Sequence, residues 1–310
     1  MDLREGPVAA PSAASQATSP VPGAGMLIRR TIMLMKPVTW FAASWAFLCG
    51  AIASGALGWS FDSISRLLVG IIMAGPILCG LSQIVNDYCD REVDAINEPQ
   101  RLIPSGLISM RHVLITTIVL TWIGCGIALW MGREVALFVG IGFLFALAYS
   151  MKPIRAKRNG WIGNALVSFS YEGLAWVAGH AALETLSWQS ALIAVFYSIG
   201  AHGIMTVNDF KSMTGDIRMG IRSIPVQYGK AKAAWLVVWT MAIAQIAVII
   251  ALAVWGHWIA ASVVLLLLLI QCVPYVRFIH DPENNAVFFN ATAIMLYVWG
   301  MLVAAIGLAG

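Results

Sequence analysis

The stretch RLLVGIIMAGPILCGLSQIVNDYCDREVD, residues 66–94, joins a long apolar run directly to a cluster of carboxylates. Its first part, 66–85, is long enough to cross a bilayer core of about 30 Å as one helix. The whole chain has the same character, because 60% of its 310 residues are hydrophobic and only 11% are charged. A typical soluble domain has about 25% charged residues. The composition therefore excludes a water-soluble fold and predicts an all-α membrane protein.

Eight other segments have the length and hydropathy of a transmembrane helix, which gives nine in all. They are 38–58, 112–131, 135–150, 162–180, 188–207, 233–255, 257–276 and 286–308. With nine helices, all but two of the 19 lysines and arginines fall on the side of the N-terminus, the exceptions being Arg66 and Arg133. The positive-inside rule places that side in the cytoplasm. A different number of helices would scramble this asymmetry.

The N-terminal segment differs from the rest in composition. Residues 1–28 are rich in Ala, Ser, Pro and Gly up to Met26, so we expect a disordered cytoplasmic tail. Residues 29–310 then form one polytopic domain. We expect the lipid bilayer, and no nucleic acid, among its partners.

Two acidic motifs lie on the predicted cytoplasmic side and resemble each other. Residues 86–94 and 208–216 both begin Asn-Asp-aromatic, and both place an Asp eight residues after the Asn. Each is followed by an Arg-x-Ile-Pro sequence, at 101–104 and 222–225. We interpret this as a pseudo-repeat, in which two half-bundles each contribute one acidic helix end.

The spacing of the acidic side chains predicts a metal-bound ligand. Asn86, Asp90 and Asp94 are spaced to share one helix face, and the seven-residue pairs Asp87/Asp94 and Asp209/Asp216 are also spaced to share a face. Two carboxylate faces repel each other unless cations neutralise them. Mg²⁺ typically binds one or two carboxylates together with substrate phosphates. The expected ligand is a diphosphate bridged by Mg²⁺, and the expected Mg²⁺ ligands are Asn86, Asp87, Asp90, Asp94, Asp209 and Asp216.

Basic side chains near the motifs are expected to stabilise a leaving diphosphate. Arg101 and Lys211 lie inside the motifs and are predicted to be catalytic, together with Asn86, Asp90, Asp94, Asp209 and Asp216. Lys152, Arg155, Arg91 and Arg222 are predicted to bind substrate, and Lys157 and Arg218 are further candidates. The alternative for any one of them is simple positive-inside topology.

The fifth transmembrane segment carries a polar stripe. Asn164, Ser168 and Glu172 follow one another at four-residue intervals, from the cytoplasmic end to about mid-membrane. A carboxyl at that depth is costly, which favours a functional role. We expect the stripe to face a cavity and contact the acceptor substrate; the alternative is a polar contact between helices.

The Asn-Asp-x-x-Asp-x-x-x-Asp run at 86–94 resembles the first signature of the UbiA-type intramembrane prenyltransferases. The continuation AINEPQRLIPSG, residues 95–106, is similar to the chlorophyll and bacteriochlorophyll synthase branch of that family. Residues 149–161, 208–216 and 223–226 fit the same branch, and the resemblance extends from about residue 30 to the C-terminus. One departure is Ser212, where the wider family often has Asp; Asp209 then supplies a ligand from one turn earlier, or the second site is weaker.

This resemblance implies nine transmembrane helices around a central cavity, closed by loops on the cytoplasmic side. It implies Mg²⁺-dependent transfer of a geranylgeranyl or phytyl group from its diphosphate to the propionate of (bacterio)chlorophyllide, with release of diphosphate. It also implies a bacterial inner membrane, cytoplasmic or intracytoplasmic, and pigment–protein assembly factors as partners. Two alternatives stay open: a related prenyltransferase acting on a quinone precursor or haem, and an ion transporter with acidic half-repeats. Transporter sites lie near the bilayer midplane, which counts against the second.

Overall fold

A computed structural model describes residues 23–310, and within that range every regular element is a helix. The helices are α1 Ala24–Leu34, α2 Trp40–Ala53, α3 Phe61–Asn97, α4 Met110–Met131, α5 Arg133–Ser150, α6 160–181, α7 Trp188–Met219, α8 Ile224–Tyr228, α9 Lys230–Val254, α10 Trp258–His280 and α11 Pro282–Ala309. Short 3₁₀ turns precede α2 at Pro37–Thr39 and α6 at Ala156–Arg158.

The all-α, multi-pass architecture is confirmed. By length and composition, seven helices of the described chain are able to cross a membrane, namely α3, α4, α5, α7, α9, α10 and α11. The number becomes eight if α1 and the segment Pro37–Ala53, which meet at an angle of 41°, are taken as one broken span. The one remaining predicted segment, the fifth, corresponds to α6, whose polar residues Asn164, Ser168 and Glu172 lower its apolar character. The count of nine therefore stays a prediction.

The first helix begins before the predicted end of the N-terminal tail at residue 28, and the domain boundary itself stays a prediction. Residues 1–22 lie outside the described part of the chain, but α1 begins at Ala24, inside the predicted tail. The helix packs on the rest of the protein, because Leu34 is buried and Thr31 hydrogen-bonds His112 at 2.8 Å. A basic side chain adds to this, since Arg30 donates to the carbonyl oxygen of Leu107. The part of α1 from Arg30 onward therefore packs against the rest of the protein.

Three membrane helices contain a wider π-helical turn, at Met73–Cys79 in α3, Phe169–Leu174 in α6 and Asn290–Ile294 in α11. In α3 the cause is visible in the sequence, because Pro76 lacks the N–H that a regular turn requires. A π turn changes which side chains share a face. In α6 this turn contains both Tyr171 and Glu172, the region where the predicted polar stripe ends.

Two glycines allow α2 and α6 to pack backbone against backbone. A Cβ on Gly50 would lie 1.9 Å from the carbonyl oxygen of Trp176, and one on Gly179 would lie 2.1 Å from that of Phe47. Small residues at such contacts let membrane helices approach closely. The α2–α6 pair therefore forms a firmly packed wall of the bundle.

The two ends of the bundle carry different side chains. The acidic motifs lie near the C-terminal ends of α3 and α7, beside the loops 151–159 and 220–223. At the opposite end, Arg66 pairs with Asp62 and donates to the carbonyl oxygens of Met131 and Ala182 at 3.1 and 3.3 Å. Both motifs thus open toward the same end, as the pseudo-repeat predicts.

Candidate active site

A cavity of about 860 Å³ lies between α2, α3, α4, α5, α6 and α7. Its wall is mainly apolar and includes Phe41, Phe47, Phe138, Phe143, Phe145, Leu166 and Leu174. Asn86 and Asn208, the first residues of the two acidic motifs, both line it. The cavity therefore joins an apolar chamber to the place where the two half-bundles meet.

In the first motif, Asn86 and Asp90 face the loop 151–159. Arg155 donates to one oxygen of Asp90 at 2.8 Å, and Lys157 donates to the other and to the Asn86 side chain, the latter at 2.8 Å. Burial lowers the pKa of Lys157, while its ion pair with Asp90 acts in the opposite direction. Two protein cations thus contact the Asp90 carboxylate, and one of them, Lys157, also contacts the Asn86 amide oxygen.

Asp87 and Asp94 face a second pair of cations. Arg101 lies 3.0 Å from Asp94 and 3.7 Å from Asp87, and Lys36 donates to Asp87 at 2.7 Å. Burial alone would lower the pKa of Arg101, but its hydrogen bond to Glu98 and the charges of Asp94 and Asp87 outweigh burial and raise it. The arginine is therefore a permanent cation at this position.

These contacts split the first motif into two faces. The sequence placed Asn86, Asp90 and Asp94 on one face, yet Asp94 shares Arg101 with Asp87, whereas Asn86 and Asp90 share Lys157. The seven-residue pairing of Asp87 with Asp94 is thus confirmed. The predicted alignment of Asn86, Asp90 and Asp94 on one face is wrong, because eight residues along a helix accumulate a rotation of about 80° beyond two full turns.

The second motif binds neutral donors. Asp209 accepts a hydrogen bond from Asn164 at 3.3 Å, and Asn164 also donates to Thr206 at 3.2 Å. Asp216 is buried and accepts from Ser212 at 2.9 Å and from Ser223 at 2.7 Å. The position where the wider family often has Asp is therefore filled by a hydroxyl that orients Asp216.

Tyr149 lines the cavity together with Asn86 of the first motif and Asn208 of the second. The ends of α3 and α7 that carry the two motifs therefore meet at one cavity.

The polar stripe of α6 does not face the cavity. The cavity is lined from this helix by Leu166, Val167, Ser170, Tyr171, Leu174, Ala175 and Ala178. Ser168 is fully buried and donates to the carbonyl oxygen of Ala165, and Glu172 is also buried. Asn164 contacts α7 through Thr206 and Asp209. The expectation of a cavity-facing stripe is therefore wrong, because the α6 face that carries it packs against neighbouring helices.

Four other predicted basic residues lie at the edge of the site. Arg91 stacks over Tyr88 at 4.7 Å and pairs with Glu92, and Arg222 contacts the loop 151–159 through its backbone. Lys152 and Lys211 are exposed, and their side chains have no ion-pair or hydrogen-bond partner among residues 23–310. A direct role in binding stays a prediction for all four.

Two further side chains, which were not among the predicted site residues, contact the acidic motifs. Lys36, at the bend between α1 and α2, contacts Asp87, and Ser223 holds Asp216. In the sequence, Lys36 contributes only to the charge asymmetry. Its position just before the first transmembrane helix nevertheless puts it on the same side as the motifs. Ser223 lies inside the Arg-x-Ile-Pro repeat, which could have indicated it.

The donor set of the site fits Mg²⁺. It consists of carboxylate and amide oxygens on α3 and α7, which are the ligands that this hard cation prefers. Within the described chain, no group of three or more His, Cys, Asp and Glu lies close enough to hold a metal ion without other ligands. Since Mg²⁺ usually completes its coordination with water and substrate phosphates, such a site needs both motifs and a phosphorylated ligand.

The sequence signature of the UbiA prenyltransferase family matches residues 39–299. This chain belongs to the UbiA prenyltransferase family. Among its UbiA relatives, the bacteriochlorophyll synthase 34 kDa chain of Chloroflexus aurantiacus is 72% identical over 280 residues, covering 90% of each chain. The bacteriochlorophyll synthase 33 kDa chain of Cereibacter sphaeroides is 42% identical over 284 residues, covering 91% of this chain and 93% of the relative.

A solved UbiA homolog from Archaeoglobus fulgidus, bound to DMAPP and Mg²⁺, has the same fold. It superposes with a TM-score of 0.67 at 16% identity and covers 89% of this chain and 99% of its own. The family assignment agrees with the helical, multi-pass architecture and identifies the protein as a prenyltransferase of the membrane. It does not favour the ion-transporter alternative.

Proposed function

We propose that this protein transfers a geranylgeranyl or phytyl group from its diphosphate to the propionate carboxylate of (bacterio)chlorophyllide, which completes (bacterio)chlorophyll. The observation that carries this proposal is that Asn86 and Asn208, from two separate acidic motifs, line one apolar cavity. The 72% identity to a bacteriochlorophyll synthase chain supports the choice of acceptor.

The reaction forms one bond and breaks one. An oxygen of the acceptor carboxylate attacks the allylic carbon that carries the diphosphate, an ester C–O bond forms, and diphosphate leaves with the electron pair of the broken C–O bond. A carboxylate is already ionised at neutral pH, because its pKa lies near 4. The enzyme therefore needs no general base for the acceptor, and its task is to bring the two reactants together.

Both motifs together are proposed to hold Mg²⁺ through Asn86, Asp87, Asp90, Asp94, Asp209 and Asp216. When bound, Mg²⁺ supplies Lewis-acid stabilisation of the charge on the departing diphosphate. Asn164, Ser212 and Ser223 keep the Asp209 and Asp216 carboxylates in place through hydrogen bonds. Such outer partners of metal ligands commonly affect affinity as much as tenfold or more.

Protein cations supply a second source of stabilisation. Lys157 and Arg155 contact Asp90, and Arg101 and Lys36 contact Asp87. Their charged groups are therefore fixed beside the metal ligands before a diphosphate binds. Preorganised charges of this kind act mainly on the negative charge that develops during the reaction.

The cavity gives the prenyl chain an apolar environment. Its volume of about 860 Å³ lies within the range of about 300–1,000 Å³ typical of ligand pockets. Phenylalanines contribute from α2 and α5, and Ser82 and Gln83 direct their polar groups to the hydroxyl of Tyr171 at 3.1 Å. Satisfied polar groups and an apolar wall exclude water from the allylic carbon during the transfer.

We also propose the membrane and its orientation. The basic residues at the motif end of the bundle favour a cytoplasmic location for that end, in a bacterial inner or intracytoplasmic membrane. The acceptor and the product are then exchanged on the cytoplasmic side, where pigment–protein assembly factors are the expected recipients.

The test is an assay on membranes that contain the protein. They are incubated with bacteriochlorophyllide or chlorophyllide and a labelled prenyl diphosphate, with Mg²⁺ or with EDTA. We expect a labelled, ester-linked pigment only with Mg²⁺, and none in matched membranes without the protein. Label in a quinone-type or haem product, with none in the pigment, would overturn the proposal.

A further inference from the structure

The basic loop, residues 151–160, touches the first acidic motif and the Arg-x-Ile-Pro sequence that follows the second. Toward the first motif it uses side chains, since Arg155 lies 2.8 Å from Asp90 and Lys157 lies 2.8 Å from the Asn86 oxygen. This loop is the only part of the described chain that reaches Asp90 with cations.

Toward the second motif the basic loop uses its backbone. Asn159 and Arg222 form an isolated parallel β-bridge, in which the Gly160 N–H donates to the Arg222 carbonyl at 2.8 Å and the Arg222 N–H donates to the Arg158 carbonyl at 2.9 Å. The next residue, Ser223, holds Asp216 at 2.7 Å. A continuous path of bonds and hydrogen bonds therefore runs from Asp90 through the loop to Asp216.

Gly160 leaves no room for a side chain in this bridge. A Cβ there would lie 2.6 Å from the Ile224 nitrogen and 3.0 Å from the Ser223 Cα. Both are backbone atoms, which cannot rotate aside, and the side chain of Ser223 holds Asp216. Any side chain at position 160 must therefore push the second motif away from the basic loop.

Gly163, one turn into α6, restricts the other side of the loop. A Cβ there would lie 3.0 Å from the Lys157 Cα and 3.2 Å from the Ala156 carbonyl oxygen. The start of α6 is itself fixed, because the Asn159 side chain accepts from the backbone of Trp161 and Ile162 at 3.0 and 3.3 Å. A side chain at position 163 would displace Lys157 without touching residues 222–224.

We propose that the basic loop is a rigid spacer that sets the distance between the two acidic motifs, with Gly160 and Gly163 as its positioning residues. This inference rests on the proposed function, because the spacing matters only if both motifs hold one metal-bound diphosphate. Neither glycine touches substrate in this scheme. Each acts through the residues whose positions it fixes, Ser223 and Ile224 for Gly160 and Lys157 for Gly163.

The test compares Gly160→Ala and Gly163→Ala with Gly140→Ala in the full-length protein in lipid nanodiscs. A Cβ at Gly140 meets no atom within 4 Å, which makes it a matched control. Mn²⁺ binding is followed by electron paramagnetic resonance in the presence of inorganic diphosphate, and turnover is measured as a function of Mg²⁺. We expect Gly160→Ala to weaken Mn²⁺ binding and to raise the Mg²⁺ requirement by about tenfold, the effect usual for disturbed outer partners of a metal.

The outcomes separate the inference from the proposed function. Gly163→Ala is expected to lower turnover with a smaller change in Mn²⁺ binding, because it moves Lys157 and leaves Ser223 in place. Unchanged Mn²⁺ affinity and turnover in Gly160→Ala would overturn the proposal that the basic loop sets the spacing of the motifs. Equal losses in the Gly140→Ala control would overturn it as well. If Gly160→Ala does not fold, unchanged turnover in Gly163→Ala overturns it. An inactive but Mn²⁺-binding wild type would instead contradict the proposed function.

Discussion

The two acidic motifs are alike in sequence but differ in the partners of their carboxylates. In the first, Asp87, Asp90 and Asp94 each pair with Lys or Arg. In the second, Asp209 and Asp216 accept hydrogen bonds from an amide and two hydroxyls, and neither lies in a salt bridge with any residue between 23 and 310. The repeat therefore conserves the carboxylates while changing what neutralises them.

This difference has an electrostatic consequence. A carboxylate that already contacts a cation attracts a metal ion less than one that contacts only neutral donors, because the two positive charges compete and repel. The carboxylates of the second motif therefore meet a metal ion without a competing Lys or Arg partner among residues 23–310. The first motif contributes the cations that later face the diphosphate.

The largest expected effect comes from removing the carboxylate that two cations share. Asp90→Asn should lower kcat by about 10²–10³-fold, the usual cost of losing a group that stabilises developing charge. It removes a proposed metal ligand and leaves Lys157 and Arg155 without their partner. The measurement is ester formation at saturating Mg²⁺.

Asp62→Asn is the control for this variant. Asp62 is an exposed carboxylate at the opposite end of the bundle, where it pairs with Arg66 at 2.9 Å. The Asp62→Asn variant should retain wild-type turnover. Near-normal turnover in Asp90→Asn would remove the first motif from the proposed mechanism.

A smaller effect is expected from loosening the second motif. Ser223→Ala removes the 2.7 Å hydrogen bond to Asp216 and should raise the Mg²⁺ concentration for half-maximal activity by about tenfold. Turnover at saturating Mg²⁺ should change little. Ser65→Ala, at a half-buried position near the opposite end, serves as the control. An unchanged Mg²⁺ requirement in Ser223→Ala would contradict this role.

Removing a competing cation should act in the opposite direction. Lys36→Met breaks the pair with Asp87, in which the lysine side chain is 32% exposed. Mn²⁺ binding without substrate should then tighten by about two- to fivefold, because such pairs are worth about 1 kcal/mol or less. Lys232→Met, at an exposed position in α9, should leave Mn²⁺ binding unchanged. Weaker binding in Lys36→Met would show that the lysine supports the metal site and does not compete with it.

The smallest expected effect concerns the backbone of the basic loop. Arg155 has a left-handed conformation with φ of 41°, which costs a non-glycine residue roughly 1–2 kcal/mol. Arg155→Gly and Arg155→Ala both lose the contact with Asp90, so both should lower turnover equally. The Gly variant should be more stable by about 1 kcal/mol, measured as a higher thermal midpoint. An equal midpoint for the two variants would mean that this conformation stores no strain.

The sequence predicted the parts of this protein that depend on local pattern. Apolar runs located the membrane helices, and the repeated Asn-Asp start at 86 and 208 predicted that α3 and α7 would bring their ends together. The seven-residue spacing of Asp87 and Asp94 correctly placed both on one face, where Arg101 reaches them. These signals are local, so one sequence contains them.

The remaining features depend on how helices pack. The orientation of Glu172 follows from the packing of α6 and its π-helical turn, and only Pro76 in α3 marks such a turn in the sequence. The pairing of Lys36 with Asp87 joins residues 51 positions apart, which no helical periodicity indicates. The bridge between Asn159 and Arg222 is a contact of two loops and has no signature in composition.

The close contact of α2 with α6 has a mechanical consequence for a long substrate. Carbonyl groups packed against Gly50 and Gly179 fix one side of the chamber, since neither helix can withdraw without breaking that contact. The chamber is also lined by α4 and α5, of whose apolar stretches only 17% is buried within the protein, against 61% for α7. Any expansion needed to admit a twenty-carbon tail therefore falls to these two outer helices, whose main neighbour is the lipid.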